Sequence, residues 1–508
     1  MKPARRAKEI GTRYDAVVIG AGIGGLTCAN YLAKAGASIL LVERHHVPGG
    51  YCSSFKKGKY YFDAGAHYLG SCRPEGQIGR LLSDHKLESK VTLLRCSPSE
   101  VVVTKHHEVL IHDDIEKTTH GISEEFPKEA DSVRNFIKYV AETDPLKLYI
   151  ELKDRTFGEL LDQYFHDWEI KAVFATLLGN IGLPSSRASA LTSAFLYREF
   201  IFDGGYYPKG GMQAFPDALL ENFEEYGGDS AFLTPAERIV IGPTGSVQSI
   251  SVRVRGKEER EITTRAIIAN CDPYQLYGRL LGREGASISE AQGIRHRLPT
   301  VSAFMLHLGV KHDIAKEAKY HCNIWSYRKH HVDEYYSGVM DGQVEYGTDS
   351  FLFCSIPTFH DPQLLPEGLH SIQAIVAAPF LAKDKWDEHK GPLAEDVMNR
   401  LEQFIPGLRG WVEVEYVATP HTLVKYTANH CGAMYGWASI PTQVASKRLP
   451  DETPIDGLFT VGHWTGLPSG HSGVPSVVTS GRNVARLVLR WLRKGGVPVH
   501  QKAGNGKL

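Results

Sequence analysis

Three glycines and one acid carry the first chemistry that can be read from this chain. In Tyr14–Arg44, YDAVVIGAGIGGLTCANYLAKAGASILLVER, Gly20, Gly22 and Gly25 keep the G-x-G-x-x-G spacing, and Glu43 closes the next apolar run. Glycines so spaced permit a tight turn, let a pyrophosphate approach the backbone, and let the following helix lie close on a sheet. The phosphates then meet free N–H groups at the helix N-terminus, around Ile23 and Gly24. A carboxylate at Glu43 accepts hydrogen bonds from ribose hydroxyls. The chemistry implied is recognition of a dinucleotide. A glycine triplet alone is more often a plain loop; here strand, glycines, helix, second strand and acid stand in sequence order.

The elements that must position these residues are legible around them. Ala16–Ile19 is a β-branched run suited to a buried parallel strand. Ile23, Leu26, Ala29 and Leu32 recur at helical spacing, and Gly36 is placed to end that helix. Six residues after Glu43 come Gly49 and Gly50, then YCSSFKKGKYYFDAGAHYLG. Further glycine-bounded segments follow: GGYYPKGGMQAFPDALL from Gly204, TPHTLVKYTANHCGAMYG from Thr419, and GLFTVGHWTGLPSGHSGVPSVVTSGRNVARLVLRWL from Gly457.

With these segments the chain resembles, from about Tyr14 to Arg486, the FAD-binding flavoproteins of the phytoene desaturase, carotenoid isomerase and retinol saturase superfamily. The resemblance implies FAD held by Gly20, Gly22, Ile23, Gly24, Gly25, Glu43, Arg44, Gly49, Gly50, Tyr51, Cys52, Ala66 and His67. Further along it implies backbone contact with the adenine at Ile239 or Val240, and cofactor contacts at Asn270, Gly462, His463, Gly473 and Val474. Asn270, Cys271 and Asp272 end a strand on the side where ligands of open α/β sheets collect, although Asp272 before Pro273 equally suits a turn. The chain places His463 where Asp, Glu or Gln is usual and adds His471 to the last glycine loop. A histidine beside a flavin can pass a proton or fill a ribose contact, so His67, His463 and His471 are the acid/base candidates. The implied reaction is two-electron transfer between FAD and a carbon of an apolar isoprenoid polyene, as desaturation, saturation or double-bond isomerisation. Two rivals share the fold: a flavin amine oxidase, and a non-catalytic escort of prenylated proteins.

Composition limits the remaining classes. The 508 residues allow two or three domains, and a formal net charge of -1 argues against a nucleic-acid partner. Eight cysteines without a C-x-x-C pair read as reduced thiols of a cytoplasmic chain; Cys431 reads as a packed thiol rather than a flavin attachment point. The pairs His45–His46 and His330–His331 are adjacent, so their side chains point apart on a strand and no metal site is expected. No apolar run is long enough for a transmembrane span. The first residues, with Lys2, Arg5, Arg6 and Lys8, read as a solvated tail rather than a signal or anchor. Peripheral contact with a membrane is suggested by the apolar substrate that the resemblance implies and by the aromatic stretch before Phe202.

The expected fold class is α/β. A discontinuous, doubly wound, Rossmann-like FAD-binding domain with a small β-meander takes 13–85, 203–275 and 455–495. An inserted α+β substrate domain with a mixed sheet takes 86–202 and 276–454, and 1–12 and 496–508 are tails. Strands are expected at Val301–Val310, Asp349–Thr358 and His370–Pro379, and Trp411–Thr427 is expected to add another strand and a turn; helices are expected from Glu124 onward. The aromatics between Phe157 and Phe202 suit either a tunnel or bilayer surface, or an ordinary helical core.

Overall fold

The computed structural model describes residues 10–329, 331–465 and 473–494. Among them the strands gather into two seven-stranded sheets and two two-stranded pairs. The first sheet contains β1 (Arg13–Ile19), β2 (Ile39–Val42), β9 (Asp229–Ala231), β10 (Ala236–Ile241), β11 (Val247–Val254), β12 (Glu258–Ala269) and β18 (Leu458–Thr460). They run in the order β10-β11-β12-β1-β2-β9, with β18 also on β12. β1 lies parallel to β2 and β12, and β18 extends the parallel core, while β10, β11 and the first half of β12 form the expected antiparallel meander.

Val17, Val18, Leu40, Leu41, Ile267 and Ile268 have no exposed surface, because both faces of this parallel core are covered. Helices Ile23–Lys34, Ala214–Glu225 and Val474–Lys494 cover one face. The first and last of them cross very closely. A Cβ on Gly481 would stand 2.7 Å from the Gly24 carbonyl oxygen, so only glycine permits that approach.

The second sheet has the order β17-β13-β16-β15-β14-β6-β7. Its strands are β6 (Glu100–Val103), β7 (Glu108–Ile111), β13 (Ser302–Lys311), β14 (Asn323–Ser326), β15 (Leu352–Ser355), β16 (Leu369–Ala378) and β17 (Val412–Ala418). Only β14 and β6 pair in parallel, so the sheet is mixed. Period-two alternation divides β13 cleanly. Phe304, Leu306, Leu308 and Val310 pack beneath helix Lys383–Glu402, and Ala303, Met305 and His307 face the other way. A hairpin, β3 (Ser54–Lys57) with β4 (Tyr60–Asp63), lies on that second face, its Phe55 and Phe62 rings 5.2 and 5.6 Å from His307. β5 (Leu93–Cys96) pairs with β8 (Gly205–Pro208).

Helices between Ile115 and Leu196 cap one end of the second sheet. Their starts follow the capping rules: Asp114, Asp144 and Asp167 accept backbone N–H groups, and Thr156 forms a reciprocal capping box with Glu159. Phe136, Phe157, Phe165 and Phe174 are buried among one another, so most of the aromatic run is core. Leu196 and Phe200 reach the cavity described below. Two helices differ from expectation. Ile115–Glu125 begins well before Glu124, on the strength of the Asp114 cap, and after the expected strand Pro420–Thr427 is helical where a turn is expected, because Thr419 caps it and Pro420 sits at its first position. No helix among the described residues is long and apolar enough to cross a membrane.

Candidate active site

A single cavity of about 710 Å³ runs from the glycine turn of the first sheet to the inner face of the second. At the glycine end β1 stops at Ile19, and Gly20 turns with φ +97°. A Cβ there would lie 2.6 Å from the Asn270 carbonyl oxygen, and one on Gly25 would lie 2.1 Å from the Gly20 carbonyl oxygen. The turn therefore has no room for side chains and presents backbone. Gly22 precedes the first helical turn without a side-chain cap, which leaves N–H groups available for an anion. Asn270, at the end of β12, donates from Nδ2 to the Gly20 carbonyl (3.3 Å).

Glu43 reaches the same turn from the end of β2. Its Oε2 accepts from the Ala21 N–H and its Oε1 from the His45 N–H, each at 2.7 Å. Burial pushes its pKa up, opposed by those N–H donors. Two hydrogen bonds leave a carboxylate with spare acceptor capacity. Hydroxyl donors of a ribose suit such a group, and a pyrophosphate suits the bare N–H groups. The residues present therefore fit FAD at both points. Gly49 and Gly50 complete the floor: the Gly49 N–H donates to the Ala21 carbonyl (2.8 Å), and both residues have positive φ.

The other end of the cavity is roofed by the second sheet. Strand register places Ala418 opposite Met305, Met305 opposite Ile375, Ile375 opposite Phe353, and Phe353 opposite Trp325. All five side chains line the cavity. Together they form one apolar row crossing five strands, about 19 Å at the usual strand spacing. At its buried end stand Trp325, Tyr336 and Gly179, where a Cβ on Gly179 would meet the Trp325 ring at 2.3 Å. At its other end β17 is the edge of the sheet, and Phe55, Lys57 and Tyr416 form the rim.

The expected site residues fall on this cavity in most cases. Gly20, Gly22, Ile23, Gly24, Glu43, Arg44, Gly49, Gly50, Tyr51, Cys52, Ala66, His67, Asn270, Gly462, His463, Gly473 and Val474 line it. Gly25 stands behind the turn and serves packing. Ile239 and Val240 do not line it. The wall there is Thr234, Pro235 and Ala236, because the chain meets the cavity as it enters β10, and Ile239 points into the meander core. His471 lies outside the described residues. Asp272 acts as a turn former, its carboxylate accepting from the N–H groups of Tyr274 (2.6 Å) and His430. Cys431 does not line the cavity, and no group of His, Cys, Asp or Glu among the described residues could hold a metal. His45 and His46 sit in a bend rather than a strand, with ring centroids 4.3 Å apart.

The histidines differ from the near-neutral titration expected of them. His67 is 9% exposed, packs its ring 4.2 Å from Phe353, and has no partner at Nε2. Burial, with His360 nearby, lowers its pKa to about 3. Burial and then Arg448 lower that of His463 to about 4. Both imidazoles are neutral at neutral pH. His463 Nε2 stands 3.5 Å from Asn429 Nδ2, beside Tyr51 and Trp464.

Sequence reasoning missed Glu100. It begins β6 with no exposed surface, and its Oε1 accepts from the Tyr68 hydroxyl and from Trp325 Nε1 (3.0 Å), both residues of the cavity wall. Its Oε2 has no partner, and burial raises its pKa to about 7. An acid at the head of EVVV was the available signal.

A family model described as flavin containing amine oxidoreductase matches residues 23–489. All-trans-retinol 13,14-reductase of Rattus norvegicus is 25% identical over 520 residues, covering 91% of this chain and 84% of that protein. The chloroplastic prolycopene isomerase of Daucus carota is 23% identical over 489 residues, covering 88% and 76%. Among solved structures, an oxidoreductase from Methanosarcina mazei superposes with a TM-score of 0.67 at 18% identity, over 93% of this chain and 99% of that one. That likeness speaks for the fold alone.

Proposed function

The chain belongs to the flavin containing amine oxidoreductase family, and from that premise we propose that this FAD-dependent oxidoreductase acts on carbon–carbon bonds of an elongated, apolar polyene. The observation that carries the reading is the five-residue apolar roof, Ala418–Met305–Ile375–Phe353–Trp325, which suits an extended hydrocarbon lying across the strands. The retinol reductase and prolycopene isomerase relatives are named for substrates of that shape. An amine substrate is poorly served, because Glu43 in the nucleotide half is the only Asp or Glu among the described lining residues.

FAD, when bound, supplies the two-electron chemistry. The residues of this chain do the rest. The glycine turn and the N-terminus of the first helix hold the pyrophosphate, Glu43 holds a ribose, and the roof keeps the polyene extended and dry. His67, neutral at neutral pH and with a pKa of about 3 too weak a base to take the substrate proton, offers its unpartnered Nε2 to the cavity while its ring is held by Phe353 and Trp325.

Anaerobic absorbance of the purified holoenzyme tests this against polyene hydrocarbons, retinoids and primary amines. A polyene that bleaches the oxidised flavin is being desaturated; one converted only by pre-reduced enzyme is being saturated or isomerised, which product mass separates. Replacing His67→Gln should slow that step by less than about 10²-fold, the smallest effect expected of a general acid or base. Bleaching by amines alone would overturn the reading.

A further inference from the structure

The cavity has chemically different ends, and the difference names a class of ligand. Its buried end is aromatic and dry: Trp325 and Tyr336 are no more than 2% exposed. Its rim is cationic. Lys56 and Lys57, both exposed, belong to the lining, and Lys57 Nζ stands 5.0 Å from the centroid of the Tyr416 ring. Tyr416 lies on the inner face of the edge strand β17, opposite His307 and two residues from Ala418 of the roof. Lys57 lies two residues from Phe55 on the same face of the hairpin, and the Phe55 and Tyr416 rings are 5.6 Å apart. The apolar row and Lys57 are therefore one continuous surface, while Lys56, between Phe55 and Lys57, alternates to the other face of the hairpin beside Tyr61.

No acid answers these lysines. Neither Lys56 nor Lys57 forms an ion pair among the described residues. Of the nearest carboxylates on β17, Glu413 is held by Lys59 and the Tyr60 hydroxyl, each at 2.8 Å, and Glu415 stands opposite Leu308 on the other face of the sheet. The rest of the substrate half contributes no Asp or Glu to the lining.

We infer that the cavity takes an amphiphile: a chain seated along the roof with its apolar tip at Trp325 and a terminal anion, a carboxylate or a phosphate, held at the rim by Lys57. The assignment deepens the polyene reading and rests on it for the nature of the chain, but not for the head. Insertion is tip first, because a charged group at the Trp325 end would be desolvated without a partner. Head and tip then fix which bond of the chain is presented, so Lys57 sets the position of reaction as well as affinity.

Isothermal titration of the holoenzyme tests the head and the chain separately. Retinoic acid is compared with retinol, palmitic acid with hexadecanol, and geranylgeranyl diphosphate with geranylgeraniol. At 0.1 M salt each acid should bind about fourfold more tightly than its alcohol, the factor one exposed ion pair supplies. The advantage should vanish in Lys57→Glu, persist in Lys57→Arg and Lys56→Glu, and shrink at 1 M salt, where screening acts within about 3 Å. Flavin absorbance of each variant verifies its fold. An advantage confined to the diphosphate assigns phosphate as the anion; one confined to the acids assigns carboxylate. Equal affinities of acid and alcohol, or an advantage indifferent to charge reversal, overturn the proposal. So does a charge reversal that abolishes only binding to phosphatidylglycerol vesicles, which would give Lys57 to a membrane surface. Palmitic acid binding without any retinoid binding would sink the polyene reading and leave the head assignment standing.

Discussion

The nucleotide turn and the roofed hall share one cavity and are built by opposite means. The turn is backbone: Gly20, Gly22 and Gly25 lie within one short segment, and what matters at each is the absence of a side chain. The hall is side chains, and its five roof residues come from five strands spread between Trp325 and Ala418. A site made of backbone tolerates no Cβ; a site made of side chains tolerates change in chemistry as long as volume and polarity are kept. One end of the cavity is therefore rigidly specified and the other is adjustable.

The largest effect expected from that contrast is at Gly25. Gly25→Val would place a Cβ 2.1 Å from the Gly20 carbonyl oxygen, against backbone that cannot yield. Purified Gly25→Val should lose essentially all flavin absorbance, and overpacking should cost about 1–3 kcal/mol or more. A Gly25→Val protein that kept its flavin would break the contrast at its strictest point. A smaller and different effect belongs to the hall. Ile375→Trp fills the middle of the roof without touching the turn, so flavin content should stay at the parent level while polyene binding weakens by about thirtyfold, some 2 kcal/mol. Loss of flavin from Ile375→Trp would mean that the two halves are not separable.

The same contrast decides what could be read in advance. The turn, the first helix, Glu43 and the strand ending at Ala269 were legible because each is local, with glycine spacing and apolar periodicity in adjacent residues. The meander after Ala236 was legible for the same reason. Ile239 and Val240 are off the cavity wall, which Thr234–Ala236 form through the loop that enters β10. The roof was not legible at all. Val301–Val310 and its neighbours were recognised as strands, but that Met305 faces Ile375 depends on register between segments about 70 residues apart, which no local pattern carries. The titration of His67 was misjudged on similar grounds: its environment is made by Phe353, Trp325 and His360, all remote in sequence. The Pro420–Thr427 helix shows the reverse, a local signal of capping threonine and N1 proline overlooked in favour of a motif.

A last effect, on stability rather than on binding, sharpens the contrast through charge. The closed end of the hall is pinned by Glu100, which accepts from Tyr68 and Trp325 and is buried without a cation. Burial raises its pKa from 4.5 to about 7. A carboxyl group whose folded pKa is raised stabilises the fold, relative to its ionised form, below its unfolded pKa, and that contribution is lost as pH rises through the folded value. Between pH 5 and pH 8 the loss should be about 2–3 kcal/mol. Glu100→Gln keeps an acceptor for Tyr68 and Trp325 and removes the titration. Asp63 and Asp272, also buried with pKa values raised to about 6, titrate in both proteins and cancel in the difference. Urea unfolding at the two pH values should therefore show Glu100→Gln gaining on the parent by that amount at pH 8, while flavin content stays equal. If the two proteins instead lose stability in parallel, ionised Glu100 finds compensation in the fold, and the hall's closed end is held as firmly by charge as the turn is by backbone.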